Sequence, residues 1–279
     1  MQSSHPRIRE LKFTLYRIFR NPTAILGFGL LFFFVAVAVF APQIAPPKNQ
    51  FNAYMIPHKG FSPTPKAPDD EFIFGRTSGQ YDIFYGVVWG TRTAFRIGFF
   101  VVGFAALVGV TLGSVAGYYG GLLDEILMRI VDTIFAIPLL VLAMAIVVAF
   151  GRGLENIMIA LALVVWRNYV RVMRSGILTL RDQEFVQAAK IMGVSDLKIL
   201  LRHILPNAIY PVLVIAFMDM GSMVIPASFL GFVGLGAPKG YADWGQVVAL
   251  ARNYIVGPPE APLRFWCAIF CPGICIILF

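Results

Sequence analysis

Long uncharged apolar runs constrain this sequence more than any other feature. Residues 23–41 and 139–150 contain no charged side chain. A helix needs about 20 apolar residues to cross a hydrocarbon core about 30 Å thick. Inside lipid every backbone N–H and C=O must find a partner within the protein, so such runs fold as helices. A membrane barrel would show short segments of alternating polarity instead, and the sequence has none. The composition agrees: 58% of residues are hydrophobic and 14% charged, where a soluble domain carries about a quarter charged. The expected fold class is all-α and transmembrane.

The net charge of +8 does not imply a nucleic-acid partner, because the basic residues flank apolar runs rather than forming one stripe. They follow the rule that cytoplasmic ends of spans are rich in Lys and Arg. Residues 1–22 hold Arg7, Arg9, Lys12, Arg17 and Arg20 against Glu10, which places this segment in the cytoplasm. The run 23–41 is longer than the apolar core of a signal peptide, about 7–15 residues. Val39-Phe40-Ala41-Pro42 is also a poor cleavage site, so this is a retained first span.

A Pro- and Gly-rich outside loop follows over 42–94, with the acidic cluster Asp69-Asp70-Glu71. A permease-like core of spans is expected over 95–279. The second span covers 95–118, where Gly103, Gly109, Gly113 and Gly117 are set for close helix packing. The third covers 130–150, with Asp132 near its start and Pro138 inside. The fourth covers 156–166 and extends past Arg167, whose side chain is expected to reach the headgroups. The basic stretch 167–206 is cytoplasmic, and counting spans from an inside N-terminus gives the same side. A fifth span covers 208–236 and a second outside loop 237–264. The last run, 265–279, is short of a crossing, so a sixth span is expected to be cut by the end of the sequence.

Residues 182–206 read as a helix–turn–helix. Asp182 to Met192 contains good helix formers, and Gly193 supplies the left-handed backbone that ends such a helix. Ser195 can cap a second helix, with Asp196 in its positive first turn. Leu197, Leu200, Leu201 and Ile204 fall on one side, Lys198 and Arg202 on another, and Pro206 is expected to stop the helix before the fifth span. The small pair Ala188-Ala189 lets another protein approach the backbone. An amphipathic pair resting on the lipid surface fits the same pattern.

Single residues carry weaker signals. Asp132 follows Arg129 by three positions and can pair with it, or serve in gating. Asp219 lies inside the fifth span between Met218 and Met220. An acid at that depth faces a translocation pathway or bonds to a neighbouring helix. Cys267, Cys271 and Cys275 share one helix face and lack a fourth ligand, so they read as small packing residues rather than a metal site. No other His is near His203 in sequence, and it reads as part of the helix pair. No Gly-x4-Gly-Lys-Ser/Thr run is present to cradle ATP phosphates.

The pattern Ala188-Ala189, Gly193, His203, Leu205-Pro206-Asn207 resembles the cytoplasmic signature of ABC importer permeases. Gln187 stands where that family usually has an acid, and Pro226 near where many members have a glutamate. Further stretches are similar to the peptide and nickel branch: Arg20-Asn21-Pro22, Ala41-Pro42, Gly75, Gly79 and Asp82 with Gly90 and Arg92, Asp124 with Met128, Arg129, Asp132 and Pro138, Gly234-Leu235-Gly236, Trp244-Gly245 and Pro272-Gly273. They span nearly the whole chain in order.

The resemblance implies a six-span permease of a bacterial or archaeal inner membrane, forming half of a pathway with a second homologous permease. It implies ATPase docking through Gln187, Ala188, Ala189, Gly193, Ser195, Asp196, His203 and Pro206. The partners it implies are two ATPase subunits, which hold ATP-Mg, an extracytoplasmic substrate-binding protein and membrane lipid. This chain itself would bind no cofactor and no nucleic acid. Di- or oligopeptides are the expected substrates, with nickel or oligosaccharides as the alternative. An ion-coupled secondary transporter would be expected to show internal repeats and broken helices, and no repeat is found. The chain purified free of partners is expected to release no phosphate from ATP above a protein-free blank, and measurable turnover would contradict this division of labour.

Overall fold

A computed structural model describes residues 16, 19–49, 51–254 and 264–279. The expected segment 1–22 lies mostly outside the described residues, as does part of the loop 237–264. Helix α1 spans Pro22–Ile44. Pro22 fits its first turn, and Asn21 caps it by accepting from the Thr23 N–H at 3.1 Å. Only Phe34 and Ala41 are buried on it. The rest of its apolar surface faces outward, as lipid exposure requires.

Helix α2, Ile83–Tyr119, has 37 residues and begins well before the expected second span. Asp82 caps it through the Tyr85 N–H at 3.3 Å. At 1.5 Å per residue it is about 55 Å long, more than a hydrocarbon core needs. Its early turns, through Ile83, Tyr85, Val88 and Trp89, join an apolar cluster with Ile56, Ala242, Val247 and Ala251. Trp89 donates to the Ala45 carbonyl at 2.9 Å, and Thr93 to the Ala242 carbonyl at 2.7 Å. Tyr85 reaches the Ala53 carbonyl at 2.5 Å. The loop 42–82 is therefore folded onto the end of α2, with isolated bridges such as Lys66 to Arg76.

The expected third span is two helices, α3 Gly121–Phe135 and α4 Leu139–Phe150, bent by 92°. Pro138 causes the break, since it has no N–H to give the Ile134 carbonyl. Arg167 supplies the missing donor at 2.5 Å, and its guanidinium carbon lies 4.6 Å over the Phe135 ring. Arg167 is thus buried rather than reaching the headgroups. It sits on α5, Leu154–Arg181, which has 28 residues. The basic stretch from 167 to 181 is helix, with Tyr169, Val170, Met173 and Ile177 buried.

Helices α2 and α5 form the centre of the bundle. A Cβ on Gly113 would lie 2.6 Å from the Val170 carbonyl oxygen, and one on Gly117 would lie 2.9 Å from the Ile177 Cβ. Gly109 sits against Tyr169 in the same way. Gly103, by contrast, faces open space and takes no part in this contact.

The remaining elements are α6 Glu184–Ile191, α7 Asp196–Ile199, a π turn Leu200–Ile204, α8 Leu205–Ser222, α9 Val224–Val233, α10 Trp244–Ala251 and α11 Cys267–Leu278. Among the described residues four helical stretches are long and apolar enough to cross a membrane, or five counting the bent pair, and α11 is a shorter apolar helix. Cys267 is buried on it, and Cys271 and Cys275 are half-buried.

Asp243 caps α10 by accepting from the Gln246 N–H at 3.0 Å and is buried. Burial pushes its carboxyl up from 3.8 to about 6, against the lowering effect of the Gln246 and Gly245 N–H groups. The folded state therefore holds a proton that the unfolded chain releases near 3.8. Its contribution to stability is full below about pH 4 and is lost as pH rises through about 6. Asp243→Asn keeps an acceptor for the cap and has no charge to bury. The wild-type melting temperature, relative to that of the Asn variant, is expected to fall between pH 4.5 and 7; parallel curves would contradict the assignment. In the same assay Gly113→Val is expected to cost about 1–3 kcal/mol through overpacking. Gly103→Val should leave the melting temperature unchanged.

Candidate docking elbow and pathway residues

Helix α6 ends as its sequence predicts. Gly193 has φ +78°. Its N–H bonds to the Lys190 carbonyl at 2.9 Å, and the Val194 N–H reaches back to Ala189 at 3.1 Å. These two bonds make a Schellman end, which fixes the angle at which the chain leaves the helix. Ser195 then starts α7 with extended backbone, and its carbonyl accepts from the Ile199 N–H at 2.9 Å. Its side chain makes no capping bond.

Pro206 does not stop the second arm. The helix tightness is relaxed by a π turn, in which the Leu205 N–H bonds to the Leu200 carbonyl. Pro206 then needs no donor of its own in the first turn of α8. The second arm and the fifth span are consequently one unbroken helical path from Asp196 to Ser222.

The elbow turns one face inward. Val186, Ala189, Ile199, Leu200 and Ile204 join the main core. The alanine pair is split by this: Ala189 is 3% exposed, while Ala188 and Gln187 face outward. The leucine face is split too, with Leu200 buried and Leu197 and Leu201 exposed. Around the bend Ile191 is 87% exposed and Met192 75%, with Phe185 also on the surface. His203 is half-buried, and its carbonyl accepts from the Asn207 amide at 2.7 Å. An apolar surface therefore surrounds Ala188 and Gly193.

The charged residues of the spans pair differently from the expectation. Asp132 bonds to Arg171 of α5 at 2.5 Å, and Arg129 lies 3.6 Å from Glu125. Arg129 points outward, so the i, i+3 spacing does not bring it onto Asp132. Asp219 accepts from the Tyr169 hydroxyl at 2.8 Å. A neighbouring helix's hydroxyl thus satisfies one of its oxygens. Met218 is 69% exposed, and Met220 is half-buried beside Gly98. Tyr169 and Arg171 are two apart on α5, on opposite faces, so Asp132 and Asp219 lie against different sides of that helix.

Several polar links at the elbow end of the bundle were not legible. Arg174 holds Asp124 through two bonds, one of 2.6 Å. Arg181 donates to the Gly117 carbonyl at 3.0 Å, and the Tyr118 hydroxyl donates to Asp196 at 2.6 Å. In the sequence these arginines follow only the general excess of cytoplasmic basic residues. Their acceptors lie on other helices.

Residues 109–279 match the family model described as binding-protein-dependent transport system inner membrane component. The chain belongs to that family. Residues 12–62 match a second model, the N-terminal TM domain of oligopeptide transport permease C. The matched relatives include the dipeptide transport system permease protein DppC of Alkalihalophilus pseudofirmus, 36% identical over 93% of this chain and 81% of that one. The oligopeptide transport system permease protein OppC of Bacillus subtilis is 31% identical over 96% of this chain and 84% of that one. The glutathione transport system permease protein GsiD of Pectobacterium atrosepticum is 32% identical over 91% and 82%. Among solved structures, an inward-facing form of the MetNI methionine ABC transporter shares the fold. It has a TM-score of 0.54 and 19% identity, covering 70% of this chain and 92% of that one. The chain is thus an all-α transmembrane permease subunit of an importer, and the elbow, Asp132 and Asp219 all lie within the matched region.

Proposed function

We propose that this permease imports di- or oligopeptides as half of a pathway completed by a second, homologous permease. Two ATPase subunits bind ATP-Mg and dock on the elbow at 184–204, on the cytoplasmic side together with the N-terminus. An extracytoplasmic binding protein delivers substrate to the loops at 42–82 and 234–254. Identities of 31–36% to dipeptide and oligopeptide permeases over more than nine-tenths of the chain support peptides over nickel or oligosaccharides. Among the described residues no group of three or more His, Cys, Asp or Glu side chains is placed to hold a metal ion.

The elbow is the observation that carries the docking assignment. Its bend is fixed by a positive-φ glycine, and its exposed apolar residues surround a small side chain, Ala188. Amphipathic helices on lipid need no such fixed bend. When ATP closes the ATPase pair, the elbow moves with it and shifts the balance between the two access states. The unbroken path from Asp196 to Ser222 carries that movement into the fifth span. Met218, exposed on this span, is assigned to the pathway with Asp219 beside it, Met220 turns toward α2, and Asp132 is assigned to gating through its pair with Arg171.

Gly193→Val tests the docking assignment. A β-branched residue at positive φ costs about 1–3 kcal/mol, and the surrounding space is open, so the bend and not the packing is disturbed. The variant is expected to insert normally and to lose ATPase co-purification or ATP-dependent uptake of labelled dipeptide. Ala188→Glu should act likewise by placing a charge in the contact. Ala189 is buried, so its replacement would report on folding instead. Lys48→Ala, in the outside loop, is the control. Wild-type assembly and uptake by both elbow variants would return the elbow to the lipid surface.

A further inference from the structure

The elbow packs against the bundle through apolar contacts. Val186, Ala189, Ile199, Leu200 and Ile204 sit in the core, where the attraction itself is non-directional. Among the described residues one side-chain hydrogen bond crosses this boundary. The Tyr118 hydroxyl donates to Asp196 Oδ1 at 2.6 Å, between residues 78 apart in sequence. Lys190 adds a second contact from the other arm, with Nζ 5.7 Å from the centre of the same ring. Tyr118 thus meets both arms of the bend at Gly193, one through its face and one through its hydroxyl. Tyr118 as a whole is 9% exposed.

Tyr118 also sits one residue from the end of α2. Its neighbour Gly117 is clamped by the Arg181 bond to its carbonyl and by close packing on Ile177. The opposite end of α2 carries Tyr85 and Trp89, bonded to the backbone of the folded outer loop. A single helix of about 55 Å therefore has the elbow tied to one end and the outer loop to the other.

On the docking reading given above, we propose that Tyr118 is a positioning residue through which movement of the elbow is passed to α2 and so to the loop that meets the binding protein. The Tyr118–Asp196 bond is the transmitting contact, and the Lys190 contact keeps the ring in place for it. ATPase docking uses the exposed residues Ala188, Ile191 and Met192 and not Asp196, whose carboxylate is engaged by Tyr118, so it does not need this bond.

The test uses the assembled transporter in liposomes: this chain, its partner permease, the ATPases, and binding protein purified with the ligand it carries from the cell. Tyr118→Phe is expected to co-purify with the ATPases like the wild type. The rise in ATP hydrolysis on adding binding protein should fall about tenfold, the size expected of one hydrogen bond to a charged group. Asp196→Asn keeps an acceptor and should retain most of the stimulation. Asp196→Ala should not, and because Asp196 is exposed this variant does not depend on repacking the core. The double variant Tyr118→Phe with Asp196→Ala should be no worse than either alone. Full stimulation in Tyr118→Phe, multiplying losses in the double variant, or loss of ATPase association in Tyr118→Phe would each overturn the proposal. Failure of the docking reading shows separately, as ATPase association that survives both Ala188→Glu and Gly193→Val.

Discussion

The close approach of α2 and α5 is the contact on which the rest of the molecule depends. Lipid tails are as apolar as leucine, so helices in a membrane gain little from hydrophobicity and must gain from fit. Gly109, Gly113 and Gly117 remove three side chains from one face of α2 and let it lie on the backbone of α5. Polar links at the elbow end are anchored on the two helices of this seam. Arg181 bonds to the Gly117 carbonyl across it, while Arg174 ties α5 to Asp124 of α3 and Tyr118 ties α2 to Asp196 of α7. Were the two helices a side chain further apart, the Arg181 bond to Gly117 would not span the gap.

The contact of α5 with α3 explains how α5 can carry so many arginines. Arg167 satisfies the carbonyl that Pro138 leaves open, Arg171 meets Asp132, and Arg174 meets Asp124. Intramembrane and near-membrane charges are tolerated when each has a partner. These pairs tie the bent α3–α4 segment to the centre of the bundle. The bend is in this sense a shared property of Pro138 and Arg167.

The apolar segments were legible because a run such as 23–41 has one physical solution in lipid. The elbow was legible because Gly193 follows a run of helix formers and only a positive φ ends such a helix there. The early turns of α2 were not, because Arg92 and Thr93 look like loop until their acceptors, the Ala38 and Ala242 carbonyls, are in place. How far the fourth span runs past Arg167 was hidden for the same reason, because the acceptors of Arg167, Arg171 and Arg174 lie on another helix. Nor could sequence divide Ala188 from Ala189. Adjacent helix positions point about 100° apart, and which one faces the core is decided by Val186 and Ile199 packing on distant helices. Pro206 misled because a proline ordinarily ends a helix, and only the π turn at Leu200–Ile204 absorbs it.

That π turn gives the fifth span the character of a shaft. A hinge between the elbow and the membrane would let the cytoplasmic arm swing while the span stayed still. With continuous helix from Asp196 to Ser222, a push on the arm is delivered as torsion and axial thrust, and the side chains of α8 turn together. Phe217, Met218 and Asp219, spread around its circumference, would sweep past their neighbours in a fixed order.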